Sequence, residues 1–139
     1  MTQKTIVLID DDEDELAEMA EALSNVDGAI KCIPFIYANE AMQFLGKDTI
    51  ARPDYIFINL TMPCLNGMEC LMKLRACQEF HSVPIAIFST LLPDSIAANL
   101  LLLGATYVFQ KPDDYKNLVP ILHAIISRAG VHPGVWTSG

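Results

Sequence analysis

Five polar side chains in this sequence have the types and the placement to act on a divalent cation and a phosphate. Asp10 and Asp11 follow the apolar run Ile6-Val7-Leu8-Ile9, and Asn59 closes Tyr55-Ile56-Phe57-Ile58. Ser89, with Thr90 beside it, follows Ile85-Ala86-Ile87-Phe88, and Lys111 comes just after Thr106-Tyr107-Val108-Phe109. Paired carboxylates next to an oxygen-bearing side chain suit Mg²⁺, which prefers one or two carboxylates plus waters. A lysine and a hydroxyl facing such an ion would bind phosphoryl oxygens. An Asp-Asp pair alone is common; its combination with Lys-Pro after one run and Ser-Thr after another is far more specific.

The runs that carry these residues are short, apolar and without alternation, as expected of strands covered on both faces. Between them lie helical patterns. Leu16, Met19, Ala20 and Leu23 follow the first run at helical spacing. Asp12, Glu13, Asp14 and Glu15 read as the solvated start of that helix, where its dipole favours negative charge. Lys31–Tyr37 is a second strand, and Pro34 assigns it to a sheet edge. Asn39 is placed to cap a short helix that carries Ala41, Met42 and Leu45 and ends at Gly46. Met62–Gly67 is a loop with an Asn-Gly turn signal. Met68, Leu71, Met72 and Leu74 belong to the helix that follows, with the methionines read as packing.

Pro93-Asp94 opens a helix that runs to Leu103 and stops at Gly104. Leu118, Ile121, Leu122 and Ile125 mark the last helix, with Pro120 in its first turn or so. Five strand-helix alternations predict an open parallel sheet with helices on both faces. Function in such sheets lies at the carboxyl ends of the strands, where Asp10, Asp11, Asn59, Ser89 and Lys111 converge.

At 139 residues, 52% hydrophobic and 19% charged, the chain reads as one globular domain, residues 1–129, with a Gly- and Pro-rich, loosely ordered tail over 130–139. A net charge of −8 argues against a nucleic-acid surface. No apolar run approaches the roughly 20 residues needed to cross a bilayer, and no signal-peptide pattern opens the chain; a cytoplasmic location is the expectation. Cys32, Cys64, Cys70 and Cys77 lack zinc spacing and read as reduced thiols, with Cys70 and Cys77 on one helix face. His81, His123 and His132 have no partners at ligand or triad spacing.

Together, Leu8–Asp12, Pro53–Pro63, Asn66-Gly67, Val83–Ile85 with Ser89-Thr90, and Gly104-Ala105 with Lys111-Pro112 resemble the receiver domain of two-component response regulators, over nearly the whole chain. The resemblance implies a flavodoxin-like three-layer α/β sandwich, a five-stranded parallel sheet of order 2-1-3-4-5 with five helices. It implies that Asp10 and Asp11 hold Mg²⁺ with a backbone carbonyl at Thr61, that Ser89 follows the phosphoryl group, and that Lys111 pairs with it. Thr90 belongs to the same phosphate-binding end. Asn59 stands where the family has its phosphoacceptor aspartate.

That departure sets the functional expectation. An amide nitrogen has its lone pair delocalised, and the amide oxygen is an uncharged, poor nucleophile, so acyl-phosphate formation at Asn59 is expected to be lost. Removing a unit charge about 4 Å from a metal is worth roughly 4 kcal/mol at an effective dielectric near 20, so Mg²⁺ binding should weaken as well. The family often has an aromatic residue three positions before the lysine; here it is Val108, and Tyr107 faces the other way.

Leu100-Leu101-Leu102-Leu103 span a full helical turn, so at least one must reach the surface. Leu101, Leu102 and Val108 are the expected partner surface, on the fourth helix, fifth strand and fifth helix, for a histidine kinase or another signalling protein. The chain is expected to be a monomer or a weak homodimer. The competing expectation is an active phosphoacceptor that uses Asp10 or Asp11, or one in which Asn59 was introduced in place of aspartate. A flavin-binding flavodoxin is excluded, because three aspartates after the first strand would repel a phosphate.

Overall fold

The computed structural model describes residues 3–47, 52–61, 66–127 and 134–136. Residues 62–65 of the expected loop, Cys64, His132 and all of the expected tail except 134–136 lie outside the described residues. The chain alternates β1 (Thr5–Ile9), α1 (Glu13–Val26), β2 (Lys31–Phe35), α2 (Ala38–Leu45), β3 (Tyr55–Asn59), α3 (Gly67–Ala76), β4 (Ile85–Ser89), α4 (Asp94–Leu102), β5 (Tyr107–Gln110), α5 (Tyr115–Ser127) and β6 (Gly134–Trp136). All strands pair in parallel in the order β2-β1-β3-β4-β5-β6. The fold is the flavodoxin-like α/β sandwich, and among the described residues the sheet has six strands rather than the expected five. The sixth has no strong signal in sequence: it is three residues long and begins at a glycine.

Side chains along each strand alternate between the two layers. Val7, Ile9, Ile56, Ile58, Ile85, Ile87 and Val108 pack with α2, α3 and α4. Ile6, Leu8, Phe57, Phe88, Tyr107 and Phe109 pack with α1 and α5. Tyr107 and Val108 therefore do face opposite sides. Val108, however, is fully buried, which removes it from the expected partner surface. Pro34 lies on the edge strand as expected, level with Leu8.

Several local expectations are corrected. Asn39 does not cap α2; Tyr37 occupies that position with no side-chain cap. Cys77 ends α3 with extended backbone rather than sharing a helix face with Cys70. Pro120 is the sixth residue of α5, so one intrahelical bond is absent in the second turn. Met72 is exposed.

At the end of the sheet away from the candidate site, Arg75 ties α3 to the α4–β5 turn. Its Nε donates to Gly104 O at 2.8 Å, Nη1 to Phe80 O and Val83 O at 2.6 and 2.9 Å, and Nη2 to Thr106 Oγ1 at 3.1 Å. Gly104 has φ 114, and a Cβ there would meet Arg75 Cγ at 2.9 Å.

The leucine run divides by depth. Leu100 is fully buried, Leu101 and Leu103 are half-buried against the core, and Leu102 is 85% exposed. Leu102→Glu should change unfolding stability by no more than about 0.5 kcal/mol, whereas Leu101→Glu should cost roughly 1–3 kcal/mol in urea denaturation. Equal losses for the two variants would contradict this division.

Candidate functional site

The register of β1, β3, β4 and β5 brings the polar residues to one end of the sheet. Ile9 is level with Ile58, Asn59 with Phe88, and Ser89 with Gln110. Carrying the register on by one residue sets Asp10 beside Asn59. Asp10, Asn59 and Lys111 continue the alternation of Leu8, Phe57 and Phe109, so all three fall on the α1–α5 side. Ser89 continues that of Ile87 on the other side. Gly67 allows α3 to start against the end of β3, since a Cβ there would lie 2.6 Å from Asn59 O. Gly67 N donates to Leu60 O at 2.9 Å.

At the centre is Asp10, 1% exposed. Its Oδ1 accepts from the Asp12 backbone N–H and from Asn59 Nδ2, each at 3.1 Å. Its Oδ2 is buried and has no hydrogen-bond partner among the described residues. Burial pushes the Asp10 carboxyl up to about 8, helped by the neighbouring Glu15 carboxylate, to which a protonated Asp10 can donate; the Asp12 and Asn59 hydrogen bonds oppose the shift.

Asn59 donates from the same Nδ2 to Glu15 Oε1 at 2.7 Å, while its Oδ1 accepts from Thr61 N–H at 2.9 Å. The surroundings fix this orientation. Turned over, the amide would set its oxygen against two carboxylates and its nitrogen against an N–H.

Glu15 is the residue that sequence reasoning missed. It stands on the first turn of α1, which begins at Asp12, whose Oδ1 accepts from the N–H groups of Asp14 and Glu15 at 2.9 and 3.2 Å. Asp12 does cap the helix start, but Glu15 is not solvated there. Its second oxygen, Oε2, lies 3.0 Å from Lys111 Nζ, and Glu18 Oε1, one turn further, lies 2.6 Å from the same nitrogen. The Lys111 and Glu15 side chains are only 10% and 13% exposed. Burial works to raise the Glu15 pKa, but the proton that Asp10 can donate and the hydrogen bond and charge of Lys111 outweigh it and hold it below the usual range. Burial likewise opposes the charge on Lys111, yet the two glutamates hold its pKa above the usual value. The i, i+3 spacing of Glu15 and Glu18 on one helix face was the available signal.

The remaining predicted residues stand apart from this network. Ser89 is buried, and its Oγ accepts from Leu91 N–H at 3.3 Å. Thr90, Asp11 and Thr61 are exposed. The Lys111 backbone N–H donates to Ser89 O at 2.7 Å, and Gln110 Oε1 accepts from Leu92 N–H at 3.3 Å, so β5 fixes the loop after β4.

Comparison with known proteins gives a consistent answer. The family model "Response regulator receiver domain" matches residues 6–123. The transcriptional regulatory protein PrrA of Mycobacterium tuberculosis is 28% identical over 132 residues, which is 94% of this chain and 53% of that protein. The chain thus spans about half the length of the curated relatives of this kind that it matches. Among solved structures, the phosphorylated cyanobacterial phytochrome response regulator RcpA superposes with a TM-score of 0.79 at 23% identity, covering 89% of this chain and 91% of that one. The Mn²⁺-bound response regulator Rcp1 gives 0.77 at 22%, covering 94% and 98%. At these identities the likeness carries the fold alone.

A divalent ion of the kind bound by Rcp1 fits these residues only in part. The unpartnered Asp10 Oδ2 suits a cation. Asn59 does not, because its nitrogen, not its oxygen, faces the acids. Among the described residues no group of three or more His, Cys, Asp or Glu side chains is placed to hold a metal ion. The donor set as it stands is incomplete.

The raised pKa of Asp10 predicts a pH dependence of stability. The folded state holds this proton up to about pH 8, while the unfolded chain releases it near the ordinary aspartate value of 3.8. Its contribution is therefore fully present below about pH 4 and is lost as pH rises towards 8. Asp10→Asn, which has no proton to release, should flatten that dependence and be roughly 1–3 kcal/mol more stable than the parent above pH 8. A variant that is less stable there, with an unchanged slope, would refute the assignment.

Proposed function

The chain belongs to the response regulator receiver family, and we propose that it is a two-component receiver that signals by protein contact, without an acyl phosphate at position 59. Residues 1–129 form the receiver unit in this reading, and residues 130–139 follow it. The observation that carries the proposal is the Asn59 amide, which donates to both Asp10 and Glu15. A phosphoacceptor must offer a carboxylate oxygen to phosphorus. Here the side chain at that position supplies a hydrogen-bond donor to the acids and no charge. Lys111 is engaged as well, by Glu15 and Glu18 rather than by a group on β3.

In this reading Ser89, Thr90 and Lys111 correspond to a phosphate-binding end, and Asp10, Asp11, Asn59 and the Thr61 carbonyl to a weakened Mg²⁺ site. Output goes to a histidine kinase or another signalling protein through the α4–β5–α5 side, with Leu102 as the exposed apolar contact, and the chain acts as a monomer or weak homodimer. The competing reading, phosphorylation of Asp10 or Asp11, has less support. Asp10 is buried and its pKa is raised towards the neutral, non-nucleophilic form.

Intact-mass measurement after incubation with acetyl phosphate and Mg²⁺ tests the proposal. The chain should gain no phosphoryl group, while Asn59→Asp under the same conditions should gain one. A stoichiometric, acid-stable or labile phosphoryl adduct on the unsubstituted chain would overturn it.

A further inference from the structure

Asn59 and Lys111 meet through a residue that belongs to neither of their strands. Glu15 Oε1 accepts from Asn59 Nδ2 at 2.7 Å, and Glu15 Oε2 pairs with Lys111 Nζ at 3.0 Å. One carboxylate therefore stands between the end of β3 and the end of β5. An oxyanion joined to residue 59 and paired with Lys111 would need the second of these contacts, which the chain itself already fills. Glu18 Oε1 lies 2.6 Å from the same nitrogen, so two of the three ammonium donors are engaged by α1.

The start of α1 is fixed in the position this contact needs. Asp12 caps the helix by accepting from the Asp14 and Glu15 N–H groups, and its own N–H donates to Asp10 Oδ1 at 3.1 Å, which ties the first turn to the end of β1. Leu16, Met19 and Leu23 then pack in one core layer with Leu118, Ile121 and Leu122 of α5. Glu15 is thus held by its backbone as well as by its carboxylate. The Lys111 and Glu15 side chains are only 10% and 13% exposed, so salt and water screen the pair little. An external anion that took Lys111 would leave Glu15 a desolvated, unpaired charge.

We propose that Glu15 is a positioning residue that closes the lysine end of the site to oxyanions, a barrier separate from the missing carboxylate at residue 59. The inference rests on the receiver reading and deepens it. Phosphoryl transfer is blocked twice, by a side chain that cannot attack and by a cation that is already paired. Asn59→Asp removes the first block only. Its carboxylate oxygen attacks the phosphorus of acetyl phosphate, the P–O bond to the acetyl group breaks, and acetate leaves. The charge on the transferring phosphoryl oxygens calls for Lys111. Glu15 and Glu18 keep their hold on that lysine in Asn59→Asp, because neither ion pair runs through residue 59.

The test uses the full chain and Glu15→Gln, which keeps the shape and an accepting oxygen but loses the charge. Intact mass followed over time with acetyl phosphate and Mg²⁺ should show Asn59→Asp/Glu15→Gln gaining its phosphoryl group roughly tenfold faster than Asn59→Asp. In the chain that keeps Asn59, Glu15→Gln should speed trace acetylation of Lys111 Nζ by acetic anhydride at least about threefold. The exposed Lys31 and Lys73 are internal references whose labelling should not change. If Glu15→Gln does not fold, Glu18→Gln, at a side chain 39% exposed, serves in its place, with smaller gains of the same sign in both measurements. Phosphorylation no faster without the charge, or Lys111 labelling unchanged, would overturn the proposal. A phosphoryl group on a chain that keeps Asn59 would contradict the reading of residue 59 instead, so the two failures are distinguishable.

Discussion

A carboxylate buried at the end of a parallel sheet needs a counterweight, and at Asp10 that need organises the site. One of its oxygens is bonded and the other has no partner among the described residues. A free charge there would be costly in a low dielectric, so the proton is held up to about pH 8. The Asn59 amide supplies part of the balance by donating to Asp10 and Glu15. Lys111 supplies the rest by pairing with Glu15 and Glu18. Three strands and one helix are thereby joined through five side chains. The Lys111–Glu15 pair is largely buried, and removal of Lys111 would leave Glu15 a desolvated charge, a loss of about 3–5 kcal/mol.

The neutral amide at residue 59 sets these contacts: Lys111 is held by Glu15 and Glu18 of α1, and Asp10 and Glu15 accept from the Asn59 amide N–H group. The backbone delivers these side chains: Gly67 closes on Asn59 O, and Gln110 fixes the loop after β4.

The strands, their order through β5 and the convergence of Asp10, Asn59 and Lys111 were legible in sequence, because unbroken apolar runs, Gly and Pro punctuation and strand-end polar residues are local signals. Glu15 was not. Its first-turn position has a sufficient local explanation in the helix dipole, and only its long-range contacts with Asn59 and Lys111 show that it turns inward. Ser89 was correctly placed at a strand end, but its alternation separates it from the charge network. Val108 was misassigned to the surface because it was taken from a family position without its burial. β6 was illegible because three residues after a glycine carry too little pattern, and its partner strand, not its own sequence, determines it.

Calorimetric titration with Mg²⁺ tests the central claim most directly, by comparing the chain with Asn59→Asp at neutral pH. A donor amide at residue 59 predicts that the parent binds Mg²⁺ at least about tenfold more weakly than the variant, a difference of roughly 1.4 kcal/mol or more. Equal affinity in the two proteins would contradict it, because the Asn59 amide would then not be standing against the cation.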